Sequence, residues 1–406
     1  MKLIDNVRLL KFELEKLVNV VSIVGILFLL SVMYTQFVAG GKDGQIYFIN
    51  DQGAADIYLG TRKELLALGK KQCDPHKGQV TVAKLKNAFA AYKKLSEEFG
   101  LDGELTWKAE YRFASVVFSN TFSPFNPQNS LVMSMIDETD VENIYTKRKE
   151  RFTELMQLPE NKVHASAQAI KLAQKRTIPL YYDGQAYGWN RFNSKSLIKL
   201  LQYLIVFVII CSSFTFFNET VFSSSIHFSL ATINGRKNHA IVKIQALVIF
   251  TTGIYLLVIG TYCALVFFTY GTDGGGSSLL TIYSLYNGTL AQFTRLTLII
   301  PYFAAVLFSL FTFYISFYVK NIVSTIVISS LVFYSGNMIS KGSVLERLTF
   351  LFPYRALHRG YLVSRPIVYN LFGKPVLFVY LYIPACIIMS VILSLLIVRK
   401  FKKMEL

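Results

Sequence analysis

Six stretches of this chain are apolar and long enough to cross a lipid bilayer, and that constrains its fold more than any other feature. They run over residues 18–39, 197–217, 241–268, 296–319, 322–339 and 376–398. In hydrocarbon, backbone N–H and C=O groups must find partners within the protein, so each stretch is expected to be a helix. The composition agrees: 53% of residues are hydrophobic and the mean hydropathy is +0.41, too apolar for an ordinary soluble domain. The first stretch exceeds the short apolar core of a cleaved leader, so it reads as an uncleaved anchor.

Residues 40–196 are different. They hold 22 Lys/Arg against 18 Asp/Glu, so most of the chain's net charge of +17 belongs to the apolar part. A polar unit of this size can bury its own core. Val82, Leu85, Phe89, Tyr92 and Leu95 fall at helical spacing behind Thr81, a residue suited to an N-cap. After a loop with Pro124 and Pro127, a charged helix is expected over Val141–Met156, and another near Lys162–Lys175 that ends before Pro179. The tail before the second span, Pro179 to Trp189, concentrates Tyr181, Tyr182, Tyr187 and Trp189. Those rings suit the aromatic belt of a membrane interface, or a surface that stacks a lipid or substrate.

Ahead of the first span, Leu3, Val7, Leu10, Leu14 and Leu17 make an apolar stripe, with Lys2, Arg8, Lys11, Glu13 and Lys16 off it. Residues 1–17 therefore read as an amphipathic helix at the interface. Six spans place both termini on one side. The short segments on that side carry 11 Lys/Arg, and those opposite carry 7, which puts the termini in the cytoplasm and residues 40–196 outside. Six of those seven, Lys341, Arg347, Arg355, Arg359, Arg365 and Lys374, lie in the last outer connection with Glu346 as its one acid. Arg355 and Arg359 are candidate headgroup or substrate contacts. The apolar pieces of that connection, residues 340–375, are too short to span and read as re-entrant or interfacial helices. Gly271–Ser278, with its three consecutive glycines, reads as a flexible outer loop.

The inner connection after the second span is mostly polar, yet Phe222, Ile226, Leu230 and Ile233 form an apolar stripe at helical spacing. Asn234-Gly235 is expected to stop that helix, and Arg236, Lys237 and Lys243 lie at the foot of the next span. A short cytoplasmic helix with an uncovered apolar stripe is a docking surface.

Several chemistries are disfavoured. Cys73-Asp-Pro-His76 has no second half of a metal site, so Cys73 reads as a solvated thiol, and Cys211, Cys263 and Cys386 lie in apolar segments. The five histidines are scattered, no span holds an acidic residue for a proton relay, and no Gly-Lys-Ser/Thr sequence closes a phosphate loop. The basic balance belongs to span ends rather than to a stripe with interleaved aromatics, so nucleic acid is not an expected partner.

The order of these parts resembles the type-2 permease subunits of ATP-binding cassette exporters of Gram-positive bacteria. The likeness is carried by the inner loop, Glu219 then Ser229-Leu-Ala-Thr-Ile-Asn-Gly-Arg236 then Lys243-Ile244, by Tyr182-Asp-Gly184 to Gly188-Trp189, and by the closing Arg399-Lys-Phe-Lys402. Three serines, Ser223 to Ser225, stand where members of that family often carry a glycine. The resemblance implies a mainly α polytopic membrane protein. Its parts are an interfacial helix (1–17), a first span (18–39), a largely helical extracytoplasmic domain (40–196), five spans (197–398) with a coupling helix at about 219–234, and a basic tail (399–406). It implies transport rather than catalysis by this chain, of a peptide, lipid or drug. No cofactor is implied here; ATP and magnesium would be held by a partner ATPase subunit, and a second permease copy, identical or not, would complete a dimer. Glu219 would brace the coupling helix, Phe222, Ile226, Leu230 and Ile233 would enter a groove on the ATPase, and Arg236 and Lys237 would lie beside it. The alternative is a membrane-anchored receptor or immunity protein whose outer domain binds a peptide.

Overall fold

The computed structural model describes residues 2–39, 47–49, 55–57, 62–122, 133–157, 169–170, 172, 180–193, 195–222, 233–279, 288–319, 321–335, 354 and 368–403. They are mainly helical. Helix α1 (Lys2–Leu17) and α2 (Val20–Ala39) meet at Val18-Asn19, where the chain bends by 62°. Asn19 makes the corner. Its side-chain oxygen accepts the N–H of Ser22 at 3.0 Å and its carbonyl accepts that of Ile23, capping α2.

The polar unit follows. It comprises the hairpin β1 (Tyr47–Ile49) and β2 (Ala55–Ile57), α3 (Arg62–Cys73), β3 (Gly78–Gln79), α4 (Val82–Glu110), α5 (Arg112–Phe122), α6 (Glu138–Glu142), α7 (Ile144–Gln157), β4 (Tyr181–Tyr182) and α8 (Tyr187–Phe192). Thr81 does cap α4, its hydroxyl accepting from Lys84 N at 3.2 Å. Leu85, Phe89 and Tyr92 are buried, as their spacing predicts. They pack with Trp107, Phe113, Val117 and Phe118 in a core separate from that of the apolar helices. Trp107 is fully buried and satisfies its indole N–H on the Ala88 carbonyl at 2.6 Å. The expected charged helix is split into α6, which an Asp137/Asp140 capping box starts, and α7, with the break at Asn143, whose backbone leaves the helical region. Of the helix expected at Lys162–Lys175, only residues 169, 170 and 172 are described.

Cys73 is not solvated. It is enclosed by the core beside Tyr182, and burial pushes the thiol and the phenol up from their ordinary pKa values. The reason is topological: β3 pairs with β4, drawing Tyr182 over the end of α3.

The apolar helices are α9 (Lys195–Phe222), α10 (Ile233–Tyr270), α11 (Leu290–Val319), α12 (Ile322–Ser335) and α13 (Phe378–Lys402). α11 packs on α9, α10, α12 and α13, and α2 lies against α9 and α10. Among the described residues, three helices are long and apolar enough to cross a membrane: Arg236–Tyr270, Leu290–Val319 and Phe378–Lys402. The bent pair of α1 and α2 adds a fourth when counted as one span, and the apolar pieces Leu197–Ser213 and Ile322–Ser335 are shorter. Helices of this kind are the mark of a membrane protein.

Two local expectations change. The end of the last connection is a hairpin, β5 (Val368–Leu371) and β6 (Lys374–Leu377), while the interfacial helices expected earlier in it lie, but for Tyr354, outside the described residues. Phe372 and Gly373, both at positive φ, make the tight turn that an antiparallel pair needs. The span expected from Val376 therefore starts as a helix at Phe378. Asn234-Gly235 lies within α10 and does not stop a helix there, the helix running on without a break to Tyr270.

Replacing Trp107 with Ala is expected to destabilise the chain by about 3–5 kcal/mol, the usual effect of emptying a large buried aromatic site. Unfolding midpoints of the full chain in detergent measure it.

Candidate functional site

The helix ends sort into two groups. At one end, here the foot, lie the start of α10 and the ends of α11 and α13. The ring of Phe401 is 6.1 Å from His239, 5.2 Å from Phe317 and 6.2 Å from Phe313. Lys400 lies over the ring of Tyr318. At the opposite end, the head, lie the end of α2, α8, the end of α10 and the start of α11. There Arg191 donates to the Phe37 carbonyl at 3.1 Å and Asn193 to Thr294 Oγ1 at 2.6 Å.

Helix α1 packs across the foot against α10 and α9. Its buried side differs from the stripe read from the sequence. Leu17 is buried, Leu10 and Leu14 are partly buried, and Val7 is exposed, while Glu13 is enclosed with 1% of its surface exposed. Glu13 joins that face because Lys243 of α10, with no exposed surface, meets it. Lys243 Nζ lies 3.5 Å from Glu13 Oε2, and Lys16 Nζ lies 3.0 Å from Oε1. Lys243 is thus a buried ion-pair partner and not a charge at the membrane surface. The signal was present in the sequence: positions 10, 13, 14 and 17 share one helical face.

The residues expected to form the coupling surface surround a connection, residues 223–232, that lies outside the described residues, as do Ile226 and Leu230. Glu219 and Phe222 are in the last turns of α9 and Ile233 opens α10. Arg236 is half-buried and Lys237 is exposed. The α9 and α10 helices thereby deliver both ends of the connection to the foot, next to α1.

At the head, the aromatic tail fastens the polar unit to the loop between α10 and α11. Tyr181 exchanges bonds with Ser278: the Ser278 N–H donates to the Tyr181 carbonyl at 2.8 Å, and the Tyr181 N–H to Ser278 Oγ at 3.0 Å. The Asp183 N–H donates to Ser277 Oγ at 2.9 Å, and its carboxylate accepts the Gly276 N–H at 2.9 Å. Trp189 Nε1 donates to the Thr272 carbonyl at 2.8 Å, and Lys70 pairs with Asp273 at 3.1 Å. Gly271–Ser278 is therefore pinned rather than flexible. Its glycines permit close approach: a Cβ on Gly274 would fall 2.7 Å from Ala186, and one on Gly275 2.7 Å from Trp189. Tyr182 points into the core of the polar unit, Tyr181 is exposed, and Tyr187 and Trp189 are half-buried. Arg355 and Arg359 lie outside the described residues.

No family model matches this chain, and no curated protein or solved structure matches it. Among the described residues, no three His, Cys, Asp or Glu side chains come together as a metal site would require.

The Glu13 pair makes an asymmetric prediction. Glu13→Leu strips a buried ammonium of its carboxylate and is expected to destabilise the chain by about 3–5 kcal/mol. Lys243→Met is expected to destabilise it less, because Lys16 stays on the carboxylate. Unfolding midpoints of the two variants, compared in detergent, decide the order.

Proposed function

We propose that this chain is the membrane-spanning permease subunit of an ATP-driven exporter. It moves a hydrophobic or amphipathic substrate, a peptide, lipid or drug, and hydrolysis belongs to a partner ATPase subunit. The reading is carried by the apolar stripe of Phe222, Ile226, Leu230 and Ile233 in the connection at the foot, where α1, α11 and α13 also end. A groove on the ATPase covers that stripe. Glu219 braces the connection, and Arg236 and Lys237 meet the ATPase and the lipid headgroups beside it. A second permease copy completes the transporter. The foot faces the cytoplasm with both termini, and the polar unit stands outside the cell membrane.

Leu230→Asp places a charge in the proposed contact while leaving spans and polar unit intact. The expected result is normal membrane abundance with loss of co-purifying ATPase and of transport-linked ATP hydrolysis. Recovery of ATPase equal to wild type would reject the coupling surface and favour a membrane-anchored peptide receptor. Topology has its own test, in a chain freed of its native cysteines. Lys94→Cys is expected to react with an impermeant thiol reagent on intact cells and Asn238→Cys to stay protected; the reverse pattern inverts the arrangement.

A further inference from the structure

We propose that α1 is a releasable strap across the foot of α10, held by the Glu13–Lys243 pair and hinged at Val18-Asn19. Three observations support it. The first is the nature of the seam. Leu10, Leu14 and Leu17 supply its apolar contacts, yet its centre is a carboxylate and an ammonium, both closed off from solvent. Well-packed apolar side chains would hold such a seam shut at least as firmly. A charge pair differs in what happens on opening, since both ions are stabilised by water or headgroups once separated.

The second is the position of Lys16. Its ammonium lies 3.0 Å from Glu13 Oε1 and belongs to the same helix, so it travels with Glu13 when α1 lifts away. Glu13 leaves as a neutralised pair. The bond that must break is the looser one: Lys243 stands 3.5 Å from Oε2, and among the described residues Oε2 accepts no hydrogen bond. The third is the hinge. Asn19 caps α2 through its side-chain oxygen and its carbonyl, and its side-chain amide reaches α1 only through a longer 3.4 Å bond to the Lys16 carbonyl, so α2 keeps its start when α1 changes angle. Opening frees the first turns of α10, against which α1 packs. The strap stands whether or not an ATPase is the partner.

The test is the accessibility of the seam in the full chain in lipid nanodiscs. Leu14→Cys reports from the seam and Phe12→Cys from the exposed face, both followed by maleimide labelling and peptide mass. Combining Glu13→Leu with Lys243→Met is expected to slow labelling at position 14 by about tenfold, with an unfolding midpoint equal to or above wild type. Lys16→Met is also expected to slow it, because Glu13 then loses its travelling partner. Labelling at position 12 should not change. Equal or faster labelling at position 14 in the double variant, or a lower midpoint, would make the pair a static stabiliser and overturn the strap. So would unchanged or faster labelling at position 14 in Lys16→Met, or a parallel change at position 12, which would mean fraying of the whole helix. None of these readouts involves an ATPase, so failure of the strap and failure of the permease reading are distinguishable.

Discussion

A carboxylate and an ammonium that are both removed from water hold each other in place, and the Glu13–Lys243 pair therefore fixes α1 to the foot of α10. Much else in the arrangement follows from that contact. α1 is a surface helix by its charges, and an interfacial helix of that kind would ordinarily keep all its ions at the water side. Turning one carboxylate inward makes it a part of the bundle. It also brings the N-terminal segment to the same end as the connection between α9 and α10, the ends of α11 and α13, and the basic residues Arg399 to Lys403.

The other end of α10 is held by different physics. There the fastening is a set of backbone-centred hydrogen bonds between β4 and Gly276–Ser278, reinforced by Asp183 and Trp189. Each bond needs the two chains within about 3 Å, and the glycines of the loop allow it by having no side chain in the way. The polar unit thus has a third attachment to the bundle besides the covalent ones at α2 and α9. A helix of 38 residues is about 57 Å long, well beyond the ~30 Å hydrocarbon layer. α10 is therefore a rod with an ionic clasp at one end and a hydrogen-bonded clasp at the other. Motion at the foot has a stiff route to the polar unit.

The helices were legible because hydrophobic period and length are local properties. Thr81 capped the helix its position announced, and Leu85, Phe89 and Tyr92 went into the core their spacing specified. What stayed hidden depends on partners distant in sequence. Glu13 reads as a surface charge until Lys243 arrives from 230 residues away, and Cys73 reads as solvated until β4 pairs with β3. Three consecutive glycines carry the same composition whether they serve flexibility or close contact, and here Asp183 and Trp189 decide for contact. The hairpin at β5 and β6 escaped for another reason. Its strands are four residues each, too short for alternation to outweigh aromatic richness, and its turn places a phenylalanine at positive φ.

The middle of the bundle shows why neither clasp is needed there. α11 packs along α12, and both carry small hydroxyl residues that are fully buried, Ser309, Thr312 and Ser316 on α11 and Thr325 and Ser329 on α12. Small side chains let two backbones approach closely, where dispersion acts over the whole length of the contact. Ser309, Ser316 and Thr325 donate their hydroxyls to carbonyls three or four residues back in their own chain. α11 also carries Phe308, whose ring meets that of Phe333 of α12 at 5.5 Å, and Phe313 and Phe317, which pack against Phe401 of α13. One helix thus combines buried small hydroxyl residues with bulky aromatic contacts. The outward residues Ile387, Ile388, Val391, Ile392 and Leu395 of α13 are left apolar and exposed. In an apolar solvent that surface has no reason to be buried, so helix association must come from closeness of fit and from polar groups held inside, and that is where this chain places them.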